Sequence, residues 1–189
     1  MIPLAIHSKI VYTLGGCGIK WDKVERRWSG VSTLKAEVEH MFLGQFYHNL
    51  DDKGRLTVPS RFREMLASGG AYVMQGFEKN LMVLPTNTFE AVSLRIQKMS
   101  LTDPTARLLR RLLFSTADRV DMDKAGRILL PQFLRQSATL DTGVVVVGSG
   151  DYFEIWAPDE WSVQEEQLMD VQANANRFSS LFLSSDSID

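Results

Sequence analysis

From Phe42 to Phe89 the chain runs in register, without a gap, with Phe114 to Trp161, a shift of 72 positions that carries Gly54 onto Gly126. Asp51 then meets Asp123, Arg55 meets Arg127, Pro59 meets Pro131, Arg63 meets Arg135, Val73 meets Val145 and Gly76 meets Gly148. Apolar character is kept at Leu56/Ile128, Phe62/Leu134, Leu81/Phe153, Val83/Ile155, Leu84/Trp156 and Phe89/Trp161. A duplication with its turn residues and its apolar positions both in phase obliges the fold to use one supersecondary unit twice. Two unrelated hairpins would not share Asp, Gly, Arg and Pro at the same offsets.

The unit reads as β-β-α-β-β-α. Gln45 to Leu50 is a short strand candidate, Asp51-Asp52-Lys53-Gly54 a turn with Gly at a positive-φ position, and Arg55 to Val58 the returning strand. Pro59 suits a first helical position, Phe62 and Leu66 give a short amphipathic helix, and Gly69-Gly70 ends it. Ala71 to Met74 and Leu81 to Leu84 flank a turn at Gly76 to Asn80. Pro85-Thr86 then opens a helix that places Phe89, Val92, Ile96 and Met99 on one face. Between the copies, Asp103-Pro104 starts a linker helix in which Leu108, Leu109, Leu112 and Leu113 alternate with Arg107, Arg110 and Arg111. Those arginines are expected on a solvated face, or against acidic side chains of a neighbouring subunit, in preference to DNA. A last helix is predicted from Pro158-Asp159-Glu160 through about Val171, with Trp156 and Trp161 as core or interface anchors, and the Ser-rich end is expected to fray.

The first 40 residues carry no sustained apolar period. They are expected to be a disordered extension or a misassigned start, with translation beginning at Met41. On the second reading the segment is upstream DNA read as protein. Trp21-Asp22 requires the codons TGG-GA(T/C), and Val24-Glu25 and Trp28-Ser29 can encode similar G-rich words.

Composition narrows the function classes. A length of 189 residues with 44% hydrophobic residues supports a sizeable core, and the single Cys17 can close no intramolecular disulfide, which fits a reducing cytoplasmic setting. The apolar runs are too short to span a bilayer. With 21 Lys+Arg against 23 Asp+Glu the net charge is −2. Nucleic-acid binding would therefore need a local basic surface, multiplied by assembly.

Enzyme signatures are sparse. His7, His40 and His48 have no metal-site spacing, neither phosphate-loop nor dinucleotide fingerprint occurs, and no cofactor is expected. His48, Asp51 and Asp52 could form an acid/base cluster, but adjacent carboxylates before a turn Gly are ordinarily a solvated Asx-type turn.

The informative motif is the repeated Asp-x-x-x-Arg, at Asp51-Asp52-Lys53-Gly54-Arg55 and Asp123-Lys124-Ala125-Gly126-Arg127. Each Gly permits the reversal and Lys53 or Lys124 projects from the tip. Arg55 or Arg127 leaves the turn with a planar fork that matches phosphate oxygens or guanine O6/N7, and the Asp is placed to orient it. For one such motif alone, a surface ion pair that staples the hairpin is the favoured reading, and the duplication shifts it. Two copies could present two basic ribbons on one side of the molecule, so binding to them would be steeply salt-dependent.

Phe42-Leu43-Gly44, Asn49 to Pro59 and Asp121 to Pro131 resemble the paired motifs of the MraZ family, within the SpoVT-AbrB-like group of bacterial transcriptional regulators. The resemblance spans roughly Met41 to Val171. It implies an α+β fold in which the duplicated β-β-α-β-β-α unit forms a swapped-hairpin, AbrB-like β-barrel with peripheral helices. Its domain bounds would be a first repeat at 45–88, linking helices at 89–113, a second repeat at 117–160 and a C-terminal helix and tail at 161–189. It also implies a non-enzymatic homo-oligomeric ring, located in the cytoplasm and nucleoid. The ring would bind double-stranded DNA at G-rich direct repeats upstream of its own gene, heading the division and cell wall cluster. DNA contacts are implied at Arg55, then Arg127, with Lys53 and Lys124 beside them and Asp51, Asp123, Gly54 and Gly126 shaping the motif. The alternative is an oligomeric interaction module that modulates a neighbouring methyltransferase. Family members usually begin near Met41, so residues 1–40 depart from the pattern.

Overall fold

The two copies exchange strands rather than folding side by side. A computed structural model describes residues 41–67, 69–179 and 181, so the expectations for residues 1–40 and 182–189 lie outside the described residues. The first copy supplies β1 (Gln45–Asn49), β2 (Arg55–Thr57), α1 (Ser60–Ala67), β3 (Ala71–Gln75), β4 (Asn80–Pro85) and α2 (Thr86–Gln97). After α3 (Pro104–Thr116) the second supplies β5 (Asp118–Val120), β6 (Arg127–Leu129), α4 (Gln132–Ser137), β7 (Gly143–Gly148), β8 (Phe153–Trp156) and α5 (Pro158–Met169). A short α6 (Val171–Phe178) follows.

Six strands form one antiparallel sheet in the order β1-β7-β8-β4-β3-β5, and β2 pairs with β6 in a separate ribbon. The first strand of each copy thus pairs with the third strand of the other, and β4 and β8 join the copies at the centre. The architecture is mixed α+β, as expected. Among the described residues the pairing ends at β1 and β5, so no closed barrel is found. The returning strand was expected to pair with the strand before it. Only a Leu50–Leu56 bridge joins them, because the chain bends at the turn and β2 takes β6 as its partner.

Period-2 alternation explains both layers. Val73, Leu81, Val83, Val144, Val146, Phe153 and Ile155 point to one face, where Leu56 and Ile128 of the ribbon and Phe62 and Leu134 of α1 and α4 complete the main core. Rings of Phe42, Phe46, Phe62 and Phe153 meet there at centroid separations of 5.0–5.4 Å. Met74, Met82 and Leu84 point to the other face and are covered by Ile96 of α2 and Leu113 of α3. On the second copy's side Trp156 and Trp161 pack there with Val145, so both indoles are core anchors. With both faces covered, a strand such as β4 reads as a continuous apolar run and is buried throughout.

Two helical expectations need correction. Met99 lies beyond the end of α2 and is exposed, and Leu108 of α3 faces outward. Arg107 and Arg110 are not a free cationic face: Arg107 donates to the carbonyls of Leu101 and Thr102, and Arg110 to those of Gln97 and Met99. Arg110 thus satisfies carbonyls at the end of α2, and Arg107 satisfies carbonyls of the loop that leads into α3. The C-terminal helix runs Pro158–Met169, close to expectation, and Asp170, whose carboxylate accepts from the Ala173 amide, starts α6.

Candidate nucleic-acid interface

Each Asp-x-x-x-Arg turn is closed by its own carboxylate. Asp51 Oδ1 accepts from the amides of Lys53 and Arg55 at 3.0 and 2.9 Å, and Oδ2 accepts from Arg55 Nε and Nη2, both at 2.7 Å. Asp123 repeats this with the amides of Ala125 and Arg127 at 2.9 and 3.0 Å and with Arg127 Nε and Nη2 at 2.9 and 2.8 Å. Four donors on one carboxylate fix both the turn and the guanidinium plane. The donors hold both carboxyls below the usual carboxylate range, led by the Arg55 amide for Asp51 and by the Arg127 side chain for Asp123. Arg127 is shifted upward, chiefly by its bond to Asp123.

The ribbon register sets Arg55 opposite Leu129, Leu56 opposite Ile128 and Thr57 opposite Arg127. Leu56 and Ile128 point into the core, so alternation sends Arg55 and Arg127 to the outer face together. The two turns touch electrostatically: Arg127 Nη1 lies 3.6 Å from Asp51 Oδ2. Lys53 and Lys124 are exposed at the tips, while Gly54 and Gly126 are buried at φ of +76° and +77°.

Two further arginines complete the face. Arg63 of α1 donates through Nε to the Val58 carbonyl, and Arg135 of α4 does the same to Leu130. Their guanidinium groups cross between copies. A Cβ on Gly54 would stand 2.6 Å from Arg135 Nε, and one on Gly126 would stand 2.6 Å from Arg63 Nε. Neither forms an ion pair with a carboxylate among the described residues. Four guanidinium groups therefore gather at one ribbon.

In the acid/base alternative, both oxygens of Asp51 are already engaged by its own turn and by Arg55, and His48 is shifted downward by burial and by the Arg63 charge. Among the described residues no cluster of His, Cys, Asp or Glu is arranged for a metal ion, and no helix is long and apolar enough to cross a membrane.

The sequence matches the family model described as "MraZ protein, putative antitoxin-like" twice, over residues 41–112 and 113–181. The chain belongs to the MraZ family. It is 42% identical over 128 residues to a protein named transcriptional regulator MraZ from Thermomicrobium roseum, covering 68% of this chain and 89% of the relative. It is 41% identical over 130 residues to the protein of the same name from Herpetosiphon aurantiacus, covering 69% and 90%. With that from Roseiflexus sp. (strain RS-1) it shares 40% over 138 residues, covering 73% and 94%. These MraZ relatives are named as transcriptional regulators, not as enzymes.

Both members of each Asp–Arg pair are brought together within this MraZ chain, and the two pairs are joined across the ribbon. Lys53 and Lys124 share the tips without sharing a position, since Lys53 corresponds to Ala125 and Lys124 to Asp52. Reading the turns alone missed Arg63 and Arg135 as parts of this face. Their signal was the repeat itself, which preserves Arg at both positions.

Proposed function

We propose that this protein is a sequence-specific DNA-binding regulator of transcription, with Arg55 and Arg127 reading base edges and Lys53 and Lys124 contacting phosphates. The observation that carries the reading is the shared outer face of Arg55 and Arg127, each locked by its own carboxylate at the ends of one ribbon. A two-stranded ribbon fits the major groove, and a fixed guanidinium fork matches guanine O6/N7. Asp51 and Asp123 act as orienting groups, and Gly54 and Gly126 shape the turns. Arg63 and Arg135, with their unpaired charges beside the turn glycines, add phosphate affinity.

The chain is read as two SpoVT-AbrB-like repeats, 45–88 and 117–160, interlocked in the swapped-hairpin manner, with linking helices at 89–113 and a C-terminal segment at 161–189. Apolar residues left exposed on α5 and α6, including Val163, Leu168, Met169, Val171 and Phe178, support assembly into a homo-oligomeric ring. Each subunit added to a DNA-bound ring raises avidity through effective concentration. The favoured target is a set of G-rich direct repeats upstream of its own gene in the division and cell wall cluster, which puts the protein in the cytoplasm on the nucleoid.

Fluorescence anisotropy of residues 41–189 with a duplex from its own upstream region and a scrambled duplex, across salt, tests this. Selective, salt-sensitive binding supports the regulator reading. Equal binding to both, or none, favours an oligomeric interaction module acting on a neighbouring methyltransferase.

A further inference from the structure

The pseudo-symmetry of the ribbon is broken only where it faces outward. Core positions keep their character, as in Leu56 and Ile128, but the outer repeat-related positions carry Asp52 and Lys124, Lys53 and Ala125, Thr57 and Leu129. Because the register sets Arg55 against Leu129 and Arg127 against Thr57, the ribbon has two unlike ends. At one end a guanidinium stands beside an isobutyl group. At the other it stands beside a hydroxyl; each end has a lysine at its adjoining turn, Lys53 or Lys124.

Leu129 is 54% exposed, while Ile128 and Leu130 on either side are each 1% exposed. Its methyls thus contribute little to the core. They lie on the same outer face as the fixed fork of Arg55, which accepts guanine. Among the four bases only thymine offers a methyl group in the major groove. Thr57 is shorter and half-buried, so it offers less apolar surface to a base than the exposed Leu129.

We infer that the two ends of the ribbon read different parts of the binding word: the Arg55–Leu129 end takes a guanine with a neighbouring thymine, Leu129 resting on the thymine methyl. The Arg127–Thr57 end takes a guanine without that isobutyl contact, and Lys53 and Lys124 serve the backbone at both ends. This inference rests on the DNA-binding reading above. It gives one chain a direction along the duplex, so its word has no internal two-fold symmetry.

The test is anisotropy with the upstream duplex in which single thymines are replaced by deoxyuridine, for the unaltered chain and for Leu129→Ser. That substitution removes every methyl at an exposed position and leaves the core untouched. One thymine per word should lower affinity about fourfold when its methyl is removed, the factor for one apolar methyl contact. Leu129→Ser should bind the thymine duplex weaker by a similar factor and be indifferent to the replacement at that position. Sequence-selective binding with no methyl-sensitive thymine, or with Leu129→Ser still sensitive, overturns the inference and leaves the DNA-binding reading standing. No preference for the upstream duplex over a scrambled one overturns both.

Discussion

Arg135 of the second copy lies against Gly54 of the first, close enough that a Cβ there would stand 2.6 Å from its Nε. Arg63 stands in the same relation to Gly126. Each turn glycine is therefore required twice over, by its φ of +76° or +77° and by a cation from the opposite copy.

Gly54→Ala is expected to cost about 1–2 kcal/mol for the left-handed backbone alone, with more from displacing Arg135. Urea denaturation of Gly54→Ala, Arg135→Ala and the double variant checks this. The cycle should show coupling of about 0.5–1 kcal/mol, with the second change less costly once the first is made.

Interlocked strands predict folding as one unit. Residues 41–112 lack the partners of β1 and β2, and residues 113–181 lack those of β5 and β6. Neither fragment alone should give a folded monomer by circular dichroism and sedimentation, and mixing the two should restore the β signal. In the intact chain Leu56→Ala, at a fully buried position, should cost about 2–5 kcal/mol in a single transition.

Much of this architecture was legible in the sequence, and the part that was not has a physical cause. Repeat register located the strands and matched apolar positions such as Leu81/Phe153 and Val83/Ile155, which are buried, because sequence pattern is a local property. Partner choice is not local. Nothing in Gln45–Asn49 distinguishes a hairpin with β2 from pairing with β7, so the residue pattern left the exchange open and only the family resemblance implied it. Likewise the Asp51–Arg55 bond follows from a four-residue spacing, whereas Arg63 and Arg135 reach the turns across the interlocked copies. Arg107 and Arg110 looked solvated because a helix face does not reveal the loop carbonyls folded back onto it.

Acid should weaken the turns. The carboxyls of Asp51 and Asp123 are depressed in the folded chain, so their contribution is complete above the unfolded carboxylate value of about 3.9 and is lost as pH falls through the lower folded values. Asp51→Asn with Asp123→Asn should therefore be less stable than the unaltered chain at pH 7, and the gap should narrow below about pH 4. Thermal melts across pH 2–7 read this directly.

The most direct test of the ribbon as a base-reading surface is the ratio of affinities for the upstream and scrambled duplexes, measured for the unaltered chain and for Arg55→Lys with Arg127→Lys. Lysine keeps the charge and loses the fork. The prediction is that the double variant remains folded and oligomeric, keeps most of its salt-dependent affinity for either duplex, and loses the preference for the upstream one. A preference that survives both substitutions would contradict the assignment of sequence reading to Arg55 and Arg127.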